Sequence, residues 1–136
     1  KLTPSGILLV KNFLEGVETI FVELINSQNT KETINIEAFI SSEFLKFFKD
    51  FLQKQKLESP NKMINLITVE RIEFVSIANI GGESIIKLKI LSDQLRYSKE
   101  GDVITSGSVS IPSQFVDFLT FTRNPKNDSW FLTKVE

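Results

Sequence analysis

From Ser5 to about Ser27, apolar residues recur at Ile7, Val10, Leu14, Val17, Phe21 and Leu24, with Phe13, Ile20 and Ile25 widening the stripe. Steps of three and four mark one face of an amphipathic helix. Pro4 and Ser5 suit its start, and the polar stretch NSQNTKET (26–33) breaks the pattern. A second helical region is predicted over 35–57, its apolar side carrying Ile36, Phe39, Ile40, Phe44, Phe47, Phe48, Phe51 and Leu52. Ser42, within SSE, is placed to cap a second segment of it.

After ESPNK (58–62) the period changes to that of strands. MINLITVERIEFVSIANI (63–80) runs to a GG turn at 81–82, ESIIKLKILSDQLRYSK (83–99) runs to an EGD turn, and VITSGSVSIPSQFVDFLTFTR (103–123) runs to NPKND, after which SWFLTKVE closes the chain. The sheet is assigned to residues 66–136, and turns without intervening helices make it an antiparallel meander of roughly four strands. Helices followed by sheet is an α+β order, here in one domain over 1–136.

Alternation sorts the strands into faces. Ile86, Leu88, Ile90, Ser92 and Gln94 share one face, with Lys87, Lys89 and Asp93 on the other. Phe115, Asp117, Leu119, Phe121 and Arg123 line up opposite Val116, Phe118, Thr120 and Thr122. The helices are expected to cover the apolar face, leaving a concave side.

Composition narrows the chemistry. The chain has 136 residues, a size at which one domain hides roughly two-thirds of its unfolded surface. A net charge of −1 gives no basic field for nucleic acid. With no His and no Cys, thiolate nucleophiles, imidazole bases, their metal sites and disulfides are all excluded, and no metal or cofactor is expected. No apolar run approaches the roughly 20 residues that span a bilayer. Twelve Phe residues suggest a large apolar interior, one able to hold a cavity.

An ordered set of short motifs then stands out: FVSI (74–77), KILSDQ (89–94), GDVITSG (101–107), DFLTFTR (117–123), and the loop NPKND before WFL. In this order they resemble the Tim44-like domain, within the NTF2-like superfamily of cone-shaped α+β folds. The resemblance covers about residues 72–136, and Leu119 stands where the family has Trp. It implies a non-enzymatic, membrane-associated binding domain. The best-known member is a peripheral protein of the mitochondrial inner membrane that tethers a chaperone to an import channel. Bacterial relatives sit at the inner membrane, usually with an anchor upstream of the domain. The expectation is therefore an adaptor in protein translocation or membrane-protein assembly. It would be peripheral to the inner membrane or held there by a segment upstream of Lys1, with a lipid surface or a translocation protein as partner.

Candidate residues follow. The pocket face is assigned to Ile90, Ser92, Gln94, Leu119 and Phe121, a mostly apolar wall with few polar groups. Membrane or partner contact is assigned to Ile7, Leu8, Leu9 and Val10, apolar all round, and to Lys46, Lys49, Lys54 and Lys56, which suit anionic lipid. Asp117 and Arg123 lie roughly 20 Å apart at about 3.3 Å per residue, so each needs other partners. Tyr97, the only phenol, offers an isomerase-like alternative if it meets Asp117 in a pocket, because a Tyr–Asp pair can polarise a carbonyl. A small apolar ligand is the companion alternative.

Overall fold

The computed structural model describes residues 4–126 and 129–136, with side chains from Val10 onward. Two helices lie against a five-stranded antiparallel sheet, the α+β cone expected. The order is α1 (Pro4–Thr30), a 3-10 turn (Glu37–Phe39), α2 (Ser42–Glu58), β1 (Lys62–Ile80), β2 (Glu83–Glu100), β3 (Val103–Gly107), β4 (Ser113–Arg123) and β5 (Phe131–Val135).

Helix α1 buries Val17, Phe21, Leu24 and Ile25, the stripe its spacing demands. It runs to Thr30, past the expected end at Ser27, because its terminator is not a glycine. Lys31 takes the left-handed conformation (φ 64°) and its N–H bonds Ser27 O at 2.8 Å. Its ammonium turns back to the carbonyl of Gln28 and to Gln55 Oε1, where the helix end is negative.

The region 35–57 is not one helix. Ile36, fully buried, and the 3-10 turn lead to Ile40, which is extended and forms a parallel bridge with Leu132. Ser41 N–H donates to Leu132 O at 2.9 Å, and Ser41 Oγ accepts from Phe44 N–H at 3.2 Å. The cap of α2 is thus Ser41, one residue before the expected Ser42, because the chain leaves the sheet edge there.

Strand β1 shows how the sheet bends. Strict alternation would put Thr68, Glu70 and Ser76 on the same face as Ile64. Register shifts between Leu66 and Thr68, Val69 and Arg71, and Phe74 and Ser76 each reverse the phase. Ile64, Leu66, Val69, Ile72, Phe74 and Ile77 therefore all stand opposite even-numbered β2 residues, on the concave side. Extra residues on one strand of a pair bend and twist it, which curls the sheet toward the helices. They also break the regularity of β1 as an outer edge, discouraging pairing with another strand.

The expected single strand over 103–123 is two. Gly107 (φ 78°) ends β3, and a Cβ there would lie 2.2 Å from Arg96 O, so a side chain cannot be accommodated. Ser108 Oγ then accepts from the N–H groups of Ser110 and Ile111, turning the chain before Pro112. β3 and β4 pair successive stretches of β2, and β4 continues to β5.

The core fills the concavity. Leu88, Ile90 and Leu119 are fully buried and Phe121 nearly so, packed with the helix stripes. At one end Phe13 meets Phe74, Phe121 and Trp130 at ring separations of 6.3, 5.8 and 5.4 Å. At the other, Phe44, Phe47, Phe48 and Phe51 of α2 form a ladder with spacings near 6 Å.

Candidate functional site

The Phe ladder is half inside and half out. Phe44 and Phe48 are buried, whereas Phe47 is 65% exposed and Phe51 40% exposed. Positions 44, 48 and 52 lie within one arc of a helix, and 47 and 51 fall on its shoulder. Beneath this shoulder is a cavity of about 230 Å³. Its walls are Phe21, Leu24 and Ile25 of α1, the four α2 phenylalanines, Leu119, and Val135 of β5, and Phe47 and Phe51 are exposed members of that wall.

Four polar side chains also line the cavity: Gln28, Gln94, Arg96 and Asp117. Arg96 reaches toward Gln94 and Asp117 through its long side chain, which folds back along the sheet over Phe115. Gln94 and Arg96 continue the concave face of β2 past Ser92, and Asp117 stands opposite Ile90 on β4. A chain of donors runs along β2. Arg96 Nε donates to Gln94 Oε1 at 3.0 Å, and Gln94 Nε2 donates to Ser92 Oγ at 2.9 Å. The Arg96 guanidinium lies 3.8 Å over the Phe115 ring, a cation–π contact.

Asp117 accepts no hydrogen bond among the described residues and makes no ion pair within 4 Å. Burial pushes its carboxyl above the ordinary carboxylate range, and the more distant Arg96 charge only partly offsets this. Burial also weighs against the Arg96 charge, again only partly offset by Asp117.

Of the residues assigned to the pocket from sequence, Gln94 and Leu119 line this cavity. Ile90, Ser92 and Phe121 do not: they are sealed under α1 and α2 deeper in the core, Ser92 with its hydroxyl bonded to Gln94. Arg96 escaped the sequence reading, although it is the next residue of the Ile86–Gln94 alternation. The aromatic wall escaped it too, because the phenylalanines of α2 read as one core stripe.

Arg123 is not part of the site. It lies over the Trp130 ring at 5.0 Å, at the last residue of β4, whereas Asp117 is near the middle of that strand. Tyr97 pairs with Met63 and Gly107 on the odd-numbered face of β2, whereas Asp117 faces the concavity. The Tyr–Asp pair is not assembled.

Lys46, Lys49, Lys54 and Lys56 are all exposed, but they do not share a face. Lys49 and Lys56 flank an open depression near Lys31 and Glu37. Lys54, seven residues after Phe47, falls roughly 20° from it around the helix. Val10 is half-buried beside Lys11 and Leu14 in a groove against β1, while Ile7, Leu8 and Leu9 lie outside the residues whose side chains are described. No helix among the described residues is long and apolar enough to cross a membrane, and no group of three acidic side chains among them could hold a metal ion.

The family model for the Tim44-like domain matches residues 9–136. The chain belongs to the Tim44-like domain family. Membership sorts it with membrane-related translocation or assembly domains, a family generally without catalytic activity. Among solved structures, this Tim44-like domain is similar to the intermembrane space region of the chloroplast protein ARC6. The TM-score is 0.59 at 8% identity, over 90% of this chain and 93% of that one. At that identity the likeness is one of fold. No curated protein matches the chain.

Proposed function

We propose that this Tim44-like domain is a binding module, not an enzyme, and serves as an adaptor in protein translocation or membrane-protein assembly. It works at the inner membrane, peripherally or through an upstream anchor, and meets a lipid surface or a translocation partner. The observation that carries this reading is the half-open apolar cavity under α2, with Phe47 and Phe51 exposed at its wall. Exposed aromatic rings beside Lys54 combine apolar insertion with attraction to anionic headgroups, each Lys contributing about 1 kcal/mol near such a surface. The separation of Tyr97 from Asp117 across the sheet speaks against isomerase-type chemistry.

Vesicle flotation tests the reading. The domain is expected to float with phosphatidylcholine vesicles containing phosphatidylglycerol, and less with phosphatidylcholine alone. Replacing Phe47 and Phe51 together by Ala abolishes flotation, and Lys54→Gln weakens it in a salt-sensitive way. Failure to float with either vesicle, alongside capture by a translocation protein, moves the contact from lipid to protein.

The same cavity favours a second reading, capture of a small apolar ligand. Its walls are mainly aromatic and aliphatic with a few polar groups, as small-molecule sites are.

A further inference from the structure

Two charged, partly buried side chains in the wall of a greasy cavity need a reason. Arg96 spends Nε on Gln94 and its face on Phe115, and its terminal Nη groups have no hydrogen-bond acceptor among the described residues. Asp117 likewise has no donor. Both contribute to the cavity wall. A pair serving only to hold the sheet together would close on itself, as Lys87 does with Glu136 at 3.3 Å on the convex side. These two stay apart, and each bears the cost of partial burial.

We infer that the cavity takes a single apolar chain ending in a carboxylate, the chain lying among the α2 phenylalanines and the head held by Arg96 beside Asp117. This rests on the reading of the cavity as a binding site and names what it binds.

The choice of head group follows from the charges. A guanidinium with a free Nη edge matches a carboxylate in two parallel hydrogen bonds. An ammonium head would be set against Arg96, which stays charged at any ordinary pH. A hydroxyl head would use neither charge. Asp117 opposes an anion only while ionised; protonated, it donates to the incoming carboxylate. Burial already favours that neutral form. No other ionisable group among the described residues lines the cavity: α1 contributes Gln28, α2 its phenylalanines and β5 Val135. Binding should therefore take up a proton at Asp117.

Titration calorimetry of the full chain with decanoate, decan-1-ol and decylammonium tests this. Decanoate is expected to bind about tenfold or more tighter than decanol, the margin of a charge-assisted over a neutral contact. It should tighten as pH falls and Asp117 gains its proton, since burial raises that carboxyl above its ordinary range. Arg96→Gln, which can still bond Gln94, brings decanoate down to the decanol level while leaving decanol unchanged, so the cavity is shown to be intact. Asp117→Asn tightens decanoate at the higher pH and flattens its pH dependence.

Equal binding of decanoate and decanol, tighter decylammonium, or a decanoate preference that survives Arg96→Gln overturns the inference. So does an Asp117→Asn protein with the wild-type pH slope. If none of the three binds while vesicle flotation persists, the ligand falls and the membrane reading stands. Selective decanoate binding without flotation is the reverse case.

Discussion

Asn29 acts on Ile64 as if it were a neighbouring strand. Its side-chain amide donates to Ile64 O at 2.7 Å and accepts from Ile64 N–H at 2.8 Å. Ile64 stands opposite Arg96, whose own carbonyl accepts from Ser108 on the far side of β2. The Ile64 backbone groups therefore point away from β2 toward the outer edge. The last turn of α1 caps that edge, where β1 has not yet been broken by its bulges.

Removing this amide should be felt in global stability. Asn29→Ala leaves two backbone groups without their partners and is expected to cost about 1–3 kcal/mol. Asn29→Asp keeps the acceptor and loses the donor, so it should fall between. Urea denaturation measures both, and faster amide exchange at Ile64 in Asn29→Ala would locate the loss.

Asp117 makes the protein less stable than a neutral residue would at neutral pH. Its folded pKa is raised above the ordinary 3.8, so ionisation is harder in the folded state. The sign is that of a group whose protonation favours folding: the penalty is absent below the unfolded pKa and grows as pH rises through the folded one. Asp117→Asn should therefore stabilise the protein near pH 7 and raise its Tm. The gain should vanish toward pH 3. Thermal melts across pH check this, and a gain that persists in acid would refute it.

The α2 cap distinguishes two adjacent serines. Ser41→Ala removes the acceptor for Phe44 N–H and should cost about 1 kcal/mol. Ser42→Ala, at the first helical position and exposed, should change stability by less than about 0.5 kcal/mol.

The Phe ladder should divide into packing and recognition. Phe48→Ala opens the core and is expected to cost about 3–5 kcal/mol. Phe47→Ala, at a ring already mostly in water, should cost well under about 1 kcal/mol, yet reduce vesicle flotation. A Phe47→Ala protein that floats normally would remove that ring from the contact surface.

Much of this molecule was legible before any coordinates, because periodicity reports faces. The α1 stripe, the concave row Ile86–Gln94 and the row from Asp117 to Phe121 were set by spacing alone, and so was the α+β order. The motifs from FVSI to WFL carried the family. Sequence could not place the three bulges of β1, since each reverses an alternation only relative to a partner strand. Nor could it end α1 at Thr30, where a lysine in the left-handed conformation does what glycine usually signals. Tertiary structure decided the cavity. Whether Phe47 and Phe48 are both core, or one is core and one rim, depends on how far α2 stands from the sheet, and that distance is a property of the whole packing. Arg96 and Asp117 meet the same cavity for a similar reason: they lie 21 positions apart on different strands, and only the pairing of β2 with β4, with helices laid across it, puts both in the wall of one hollow.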